Sequence, residues 1–327
     1  MVGNMGTHNF YWPVYKNLEK EFLMLADYVH FSDDQVKIYS MRIADLIVRC
    51  AIEIEALSKE LYGLLGGDMS PLTEDGKKRD LYFDTDCIAL LDEKWHICKK
   101  EVSVSAINFY FESEIHRVLT PLKKANKRGS SGSKWKQAYQ AVKHDRGNSL
   151  KMATIENLLN AMAALFVLNV YYRDERIDLG NIKKTETKFD GRLGSDVFCV
   201  STCSATVLRM EHNMDDSNIC MNAEDLEKVI YITKYDDKSF VAMHKDFCLD
   251  SKITLQRFYS SVVIQKYLDG HPDEKDKTLN QICVEAGGLD LLKEILSHEN
   301  AMRNQSVRME AVLNKHTSIY PSVALEH

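Results

Sequence analysis

The sequence predicts a mainly α protein: an antiparallel helical bundle, then a small α+β segment, then a C-terminal helical region. Three observations carry this. Only five prolines and fifteen glycines punctuate 327 residues, which leaves room for long uninterrupted helices. Apolar residues recur at alternating four- and three-residue steps over long stretches of the first half. Runs rich in Val, Ile, Thr and Tyr are confined to the middle of the chain.

Taken in order, a helix is expected from about Val14 to Val29, paired antiparallel with a longer one from Asp33 to Leu64. The second carries the apolar stripe Ile43, Ile47, Cys50, Ile54, Leu57 and Leu61, with Ser32-Asp33-Asp34 as its cap and Gly66-Gly67 as its end. Its polar face, Arg42, Asp45, Arg49 and Glu53, reads as a solvated ion-pair ladder or as arginines facing a phosphate groove. A loop follows from Gly66 to Asp80, then a short helix from Cys87 to Trp95, and an extended or hairpin stretch from Val102 to Phe111. Leu122 to Ser133 reads as a mobile basic loop, Trp135 to Arg146 as a helix, Gly147-Asn148-Ser149 as a turn, and Lys151 to Tyr172 as a long buried helix. Asn160 and Asn169 interrupt that last apolar run, which favours a protein core over a membrane. Short strands are expected within Asp196–Val207, Val229–Tyr235 and Ser239–His244. Helices return at Ile253–Leu268, Thr278–Ala286, Leu289–Leu296 and Glu299–Lys315. The predicted boundaries are therefore 13–176, 177–250 and 251–320, with 325–327 resembling a tag remnant.

Charge is distributed unevenly. The window from Arg117 to Lys151 holds ten of the 42 Lys and Arg but only one of the 48 Asp and Glu, in a chain of net charge −6. Such segregation points to a surface that meets a polyanion. Lys123, Lys124, Lys127, Arg128, Lys134 and Lys136 lie beside Trp135 and Tyr139, and phosphate attraction combined with aromatic stacking is how single strands are held. The competing reading is a Lys-rich loop that only keeps the protein soluble.

At the end of the same helix, Lys143, His144 and Arg146 could serve metal-independent RNA cleavage. That chemistry needs a base for the 2′-hydroxyl, an acid for the leaving oxygen and cations for the developing phosphorane charge. Imidazole titrates near neutrality, so His144 suits either proton role, and Lys143 and Arg146 would neutralise phosphate oxygens. Alternatively these residues terminate the helix, where cations are favoured by its dipole.

The Trp135, Tyr139, Lys143-His144-x-Arg146 pattern, the apolar helix after it and the Arg42-Ile43-Ala44-Asp45 to Ser58-Lys59-Glu60-Leu61-Tyr62 helix before it resemble the HEPN-like superfamily over residues 13–176. The resemblance implies an up-and-down helical bundle, usually dimeric, found in prokaryotic toxin, phage-defence and RNA-processing proteins, some of them metal-independent endoribonucleases. In catalytic members an arginine precedes the histidine by a few residues; here Arg146 follows His144. The expected function is RNA-associated, with endoribonuclease action in prokaryotic defence, or else that of a non-catalytic dimeric interaction or scaffold protein.

No cofactor and no metal are expected. Gly287-Gly288 lacks the lysine of a phosphate loop, and Cys199, Cys203, His212 and Cys220 match no common zinc spacing. Eight scattered cysteines suit reduced thiols, hence a cytoplasmic protein. The expected partners are RNA, a second copy in a homo-oligomer, and a protein bound through the C-terminal helices, with no membrane.

Overall fold

The computed structural model describes residues 9–181, 189–204, 223–272, 277–297 and 307–321. The chain forms two units, the first made of Met1–Ile177, Lys188–Lys234 and Ala311–Thr317, the second of Asp178–Thr187, Tyr235–Glu310 and Ser318–His327. The mainly α expectation holds.

The first unit begins with α1 (Tyr11–Leu25), whose start is capped by Asn9: its Oδ1 accepts from the backbone N–H groups of Tyr11 and Trp12. Strand β1 (Phe31–Ser32) and a tight 3-10 turn at Asp33–Gln35 come before α2 (Met41–Leu64). The long helix therefore starts later than its sequence predicts. Ser40, not Ser32-Asp33-Asp34, is the cap, its hydroxyl accepting from Ile43 N. Asp33 serves instead as an acceptor for Glu112 N, Ser113 N and His116 Nδ1. The stripe Ile43, Ile47, Cys50, Ile54, Leu57 and Leu61 is buried as expected. Its end is also where the sequence puts it. Gly66 adopts φ +78°, Gly67 N donates back to Tyr62 O, and a Cβ at Gly67 would lie 2.3 Å from the Tyr62 ring. On the polar face, Arg49 makes a bidentate pair with Glu21 of α1 at 2.7 and 2.8 Å, and Arg42 joins it. The arginines thus clasp a neighbouring helix.

After a wide π turn at Phe83–Ile88 come α3 (Ala89–Trp95), β2 (Val102–Val104), β3 (Phe109–Tyr110), α4 (Glu114–Arg117) and β4 (Val118–Leu119). The ambiguous stretch Val102–Phe111 therefore feeds two sheets. β3 runs parallel to β1, and β2 lies antiparallel between β4 and β6 (Phe198–Cys199), which follows β5 (Ile177–Asn181) in the chain. Next in the bundle stand α5 (Lys134–His144), α6 (Arg146–Ser149) and α7 (Ile155–Arg173). The expected turn at Gly147–Ser149 is a short helical turn, and Asp145 caps it by accepting from Asn148 N. Thr154 caps α7 by accepting from Asn157 N, so this helix begins after Lys151.

Helix α7 packs against α1, α2 and α5, and α2 packs in turn against α1 and α5. It is long and apolar enough to cross a membrane by composition alone. Its side chains from Leu158 to Tyr171 are instead almost all buried in the protein, as a helix apolar on every side must be. Each such Leu, Val or Phe contributes roughly 1.5–3 kcal/mol of burial. The remaining elements of the first unit are β7 (Thr202–Ser204), α8 (Ala223–Lys228) and β8 (Tyr231–Tyr235), with β7 parallel to β8. Buried Glu19 ties the 195–198 segment to α1: it accepts from Tyr15 Oη at 2.7 Å, from Ser195 Oγ, and from the N–H groups of Asp196 and Val197.

In the second unit, α9 (Asp237–Ser260), α10 (Val262–Gly270) and α11 (Leu279–Leu296) enclose a small core of Phe258, Ile264, Ile282, Cys283, Leu291 and Ile295. Two expectations are corrected. Ser239–His244 is the first turns of α9, because Asp236 accepts from Ser239 N at 2.6 Å and starts a helix there. The helix expected over Glu299–Lys315 contains β9 (Arg308–Leu313), whose last residues are buried on both faces; residues 299–306 lie outside the described residues. The two expected helices Thr278–Ala286 and Leu289–Leu296 form α11 with a kink at Gly288, which sits at φ 71°, ψ −168°. That conformation suits glycine alone, and a Cβ there would meet nothing within 4 Å. Gly288→Ala is therefore expected to destabilise the second unit by about 1–3 kcal/mol through backbone strain alone, measured by urea unfolding monitored on helix content.

Candidate nucleic-acid interface

The basic window folds back on itself through one buried side chain. Lys136 points from the first turn of α5 into the protein, and its ammonium donates to Asp84 Oδ2 at 3.0 Å, Ala125 O at 2.8 Å and Lys127 O at 2.7 Å. One turn of helix thereby fixes both the 122–128 stretch and the Asp84 turn. Gln137 adds a second anchor, its side-chain amide donating to Ser130 O and Gly132 O. Gly129 at φ +59° makes the reversal between them. The stretch from Leu122 to Ser133, read from sequence as a mobile loop, is thus tied down at several carbonyls.

Burial opposes a charge on Asp84, yet the hydrogen bonds from Lys136, Thr85 N and Arg128 hold its carboxyl below the usual carboxylate range. Burial likewise pushes the Lys136 ammonium down, with Asp84 working the other way. The pair is a charged one, held by the acceptors that surround it.

Above this pair lies a cleft of about 950 Å³, lined by residues of α2, the Asp80–Asp84 approach to the π turn, the basic loop and α5. Its cations are Lys59, Arg128, Lys136 and Lys143. Arg128 lies flat on Tyr82, with its guanidinium carbon 3.4 Å from the ring centroid, while its Nε donates to Asp84 Oδ1. The side chain remains 47% exposed, so one face of a charged, planar group is open to the cleft. Gln140 and Lys143 follow Lys136 along the same face of α5.

The predicted site residues fall into three groups. Arg128, Lys136 and Lys143 come together in the cleft. Lys123, Lys124, Lys127 and Lys134 are exposed but do not line it; Lys134 lies 3.9 Å from Glu156. Trp135 and Tyr139 are corrected: both are only 2% exposed, the indole donates to Pro121 O at 2.8 Å, and neither ring is available to stack on a base. They face the bundle because they occupy the core side of α5, one helical turn apart. His144 and Arg146 are exposed beyond the end of the cleft, and neither lines it.

The exposed aromatic of the site is Tyr82, which the sequence did not single out. Asp84 was missed for the same reason, since its partner Lys136 is 52 positions away. Among the described residues no group of three His, Cys, Asp or Glu is arranged to hold a metal. Cys199 and Cys203 are in no disulfide, while His212 and Cys220 lie outside the described residues.

Fold and site together define a mainly helical protein with a cleft on its first unit lined by Tyr82, four cations and the three carboxylates Glu55, Asp80 and Asp84. No family model, curated protein or solved structure matches the chain.

Proposed function

We propose that this protein binds single-stranded RNA in the cleft of its first unit and acts by binding, without cleaving. The observation that carries this reading is the Arg128–Tyr82 stack in a cleft that also presents Lys59 and Lys143, with Glu55, Asp80 and the Lys136-paired Asp84 among its lining residues. An unstacked base can lie on an arginine plane, while Lys59 and Lys143 meet the phosphates on either side. The packing of α2 against α1, α5 and α7 supports an HEPN-like bundle. Through that resemblance the proposal extends to RNA-processing or defence settings in a prokaryotic cytoplasm.

The endoribonuclease reading has less behind it. Cleavage without metal needs an acid and a base at the scissile phosphate, and among the described residues no histidine lines this cleft. His144→Ala is accordingly expected to leave RNA binding within about twofold of the parent, since it removes at most one phosphate contact. The test is incubation of the protein with labelled single-stranded RNA in EDTA. Retarded, intact RNA for both parent and His144→Ala supports the proposal; cleavage lost in His144→Ala would restore the nuclease. A chain that neither binds nor cuts would leave the second reading, an interaction protein. That reading is favoured by one observation: the helices of the second unit expose Leu255, Tyr259, Val262 and Leu289, apolar residues suited to a protein partner or a second copy.

A further inference from the structure

Away from the cleft, the first unit holds a second cluster of titratable groups that RNA binding does not use. Lys100 is completely buried. Its ammonium nitrogen lies 2.9 Å from Glu227 O and 3.2 Å from His316 Nε2. The His316 ring stacks on His96 with centroids 4.0 Å apart. Both histidines sit in the left-handed region, at φ 51° and 55°, a conformation that a protein retains only where its surroundings impose it.

The charges around them are one-sided. Lys99 and Lys100 come from the turn after α3, and His316 from the segment after β9. Among the described side chains the acid within reach is Glu227 of α8, which already accepts from Lys99 at 2.6 Å and lies 3.4 Å from His96 Nδ1. The neighbouring charges are paired elsewhere: Lys228 with Glu101, and Lys315 with Asp174.

We propose that Lys100, His96 and His316 form an acid-released latch that fastens residues 314–317 to the body of the first unit. The latch works through the direction of one hydrogen bond. Neutral His316 accepts from Lys100 at Nε2. A proton on Nε2 turns that contact into two donors facing each other beside a stacked imidazole, and Glu227 is already occupied.

The titration has a definite sign. Burial first, then Lys100 and His96, push His316 down to about 4 from its ordinary 6.5. The docked form therefore binds fewer protons than the released form. The His316 contribution to docking is fully present above the ordinary imidazole value and is lost progressively as pH falls from about 6.5 toward 4. Burial, partly offset by Glu227 and reinforced by Lys99, pushes Lys100 down from its ordinary 10.5 to about 7, so its own contribution falls away at higher pH, before His316 titrates. Besides the Lys315–Asp174 ion pair, which His316→Gln leaves in place, the other ties of the segment are uncharged hydrogen bonds: Asn314 N donates to Ile230 O, its side chain to Leu226 O and Val229 O, and Tyr171 Oη donates to Asn314 O.

The test is amide hydrogen exchange of the whole chain, expressed as protection factors so that the intrinsic pH dependence of exchange is removed. Between about pH 7.5 and pH 4.5 the Asn314 amide is expected to lose protection at least about tenfold, while amides of α7 keep theirs. In His316→Gln, whose side chain accepts from Lys100 at every pH, the loss is expected to stay under about threefold. Should that variant fold poorly, the His316 ring is titrated by NMR in the parent chain, with a midpoint below about 5 expected to accompany the loss of protection. Constant protection in the parent, an equal loss in His316→Gln, or a ring midpoint near about 6.5 would overturn the latch.

Discussion

Replacing Lys136 with methionine is expected to lower the stability of the first unit by about 3–5 kcal/mol, the range found when one partner of a buried ion pair is removed. Methionine fills most of the volume of the lysine stem, so little of the effect comes from a cavity. The loss comes from what the ammonium leaves behind: a buried Asp84 carboxylate without its main partner, and the carbonyls of Ala125 and Lys127 without their donor. In a unit of this size that corresponds to a fall of about 6–20 °C in Tm, read by differential scanning calorimetry. Asp84→Asn in the same background is expected to recover part of the loss, because it removes the stranded charge. The pair also sets a pH dependence. The Asp84 carboxyl is held below the usual range, so its contribution is present at neutral pH and is lost as pH falls below about 4.

The second large effect concerns binding. Reversing both Arg128 and Lys143 to glutamate is expected to weaken single-stranded RNA binding by roughly a hundredfold at about 50 mM salt. Two cations of the cleft become anions, and the Arg128 plane that carries the base is lost together with its stack on Tyr82. The plot of log affinity against log salt should also become shallower, because each phosphate contact contributes about 0.7 to that slope for a single strand. Both side chains are exposed and Lys136 still pairs with Asp84 when the Arg128 hydrogen bond is lost; near-ultraviolet circular dichroism verifies that the variant keeps its fold.

Much of the bundle is legible from local pattern. The stripe from Ile43 to Leu61 and the apolar run through α7 repeat over several turns, and such repetition specifies a buried face whatever lies opposite. Element ends were legible only where a short-range device marks them. Gly66-Gly67 stops α2 as expected, but Ser40 and Thr154 cap their helices after nearby residues had suggested earlier starts. The strand of β9 and the first turns of α9 exchange identities relative to expectation because short apolar runs fit either period until a cap or a neighbouring strand decides.

The site divides along the same line. Clustered cations are visible in any linear reading, so Arg128, Lys136 and Lys143 were found. Which of them is buried is not visible, because Lys136 is drawn inward by an aspartate from a distant turn. Trp135 and Tyr139 illustrate the converse: aromatic residues beside lysines suggest stacking on bases, but their position on the core side of α5 commits them to the bundle. Tyr82, which does face the cleft, stands in an unpatterned stretch and acquires its meaning only from Arg128.

The most direct test of the central claim is fluorescence anisotropy of a labelled single-stranded RNA titrated with the protein across a salt series, for the parent chain and for Arg128→Glu/Lys143→Glu. Salt-dependent binding by the parent is expected, with intact RNA recovered afterwards, and a loss of roughly a hundredfold together with a shallower salt slope in the variant. Equal affinity and equal slope in the two proteins would contradict it, placing the RNA elsewhere or nowhere on this surface.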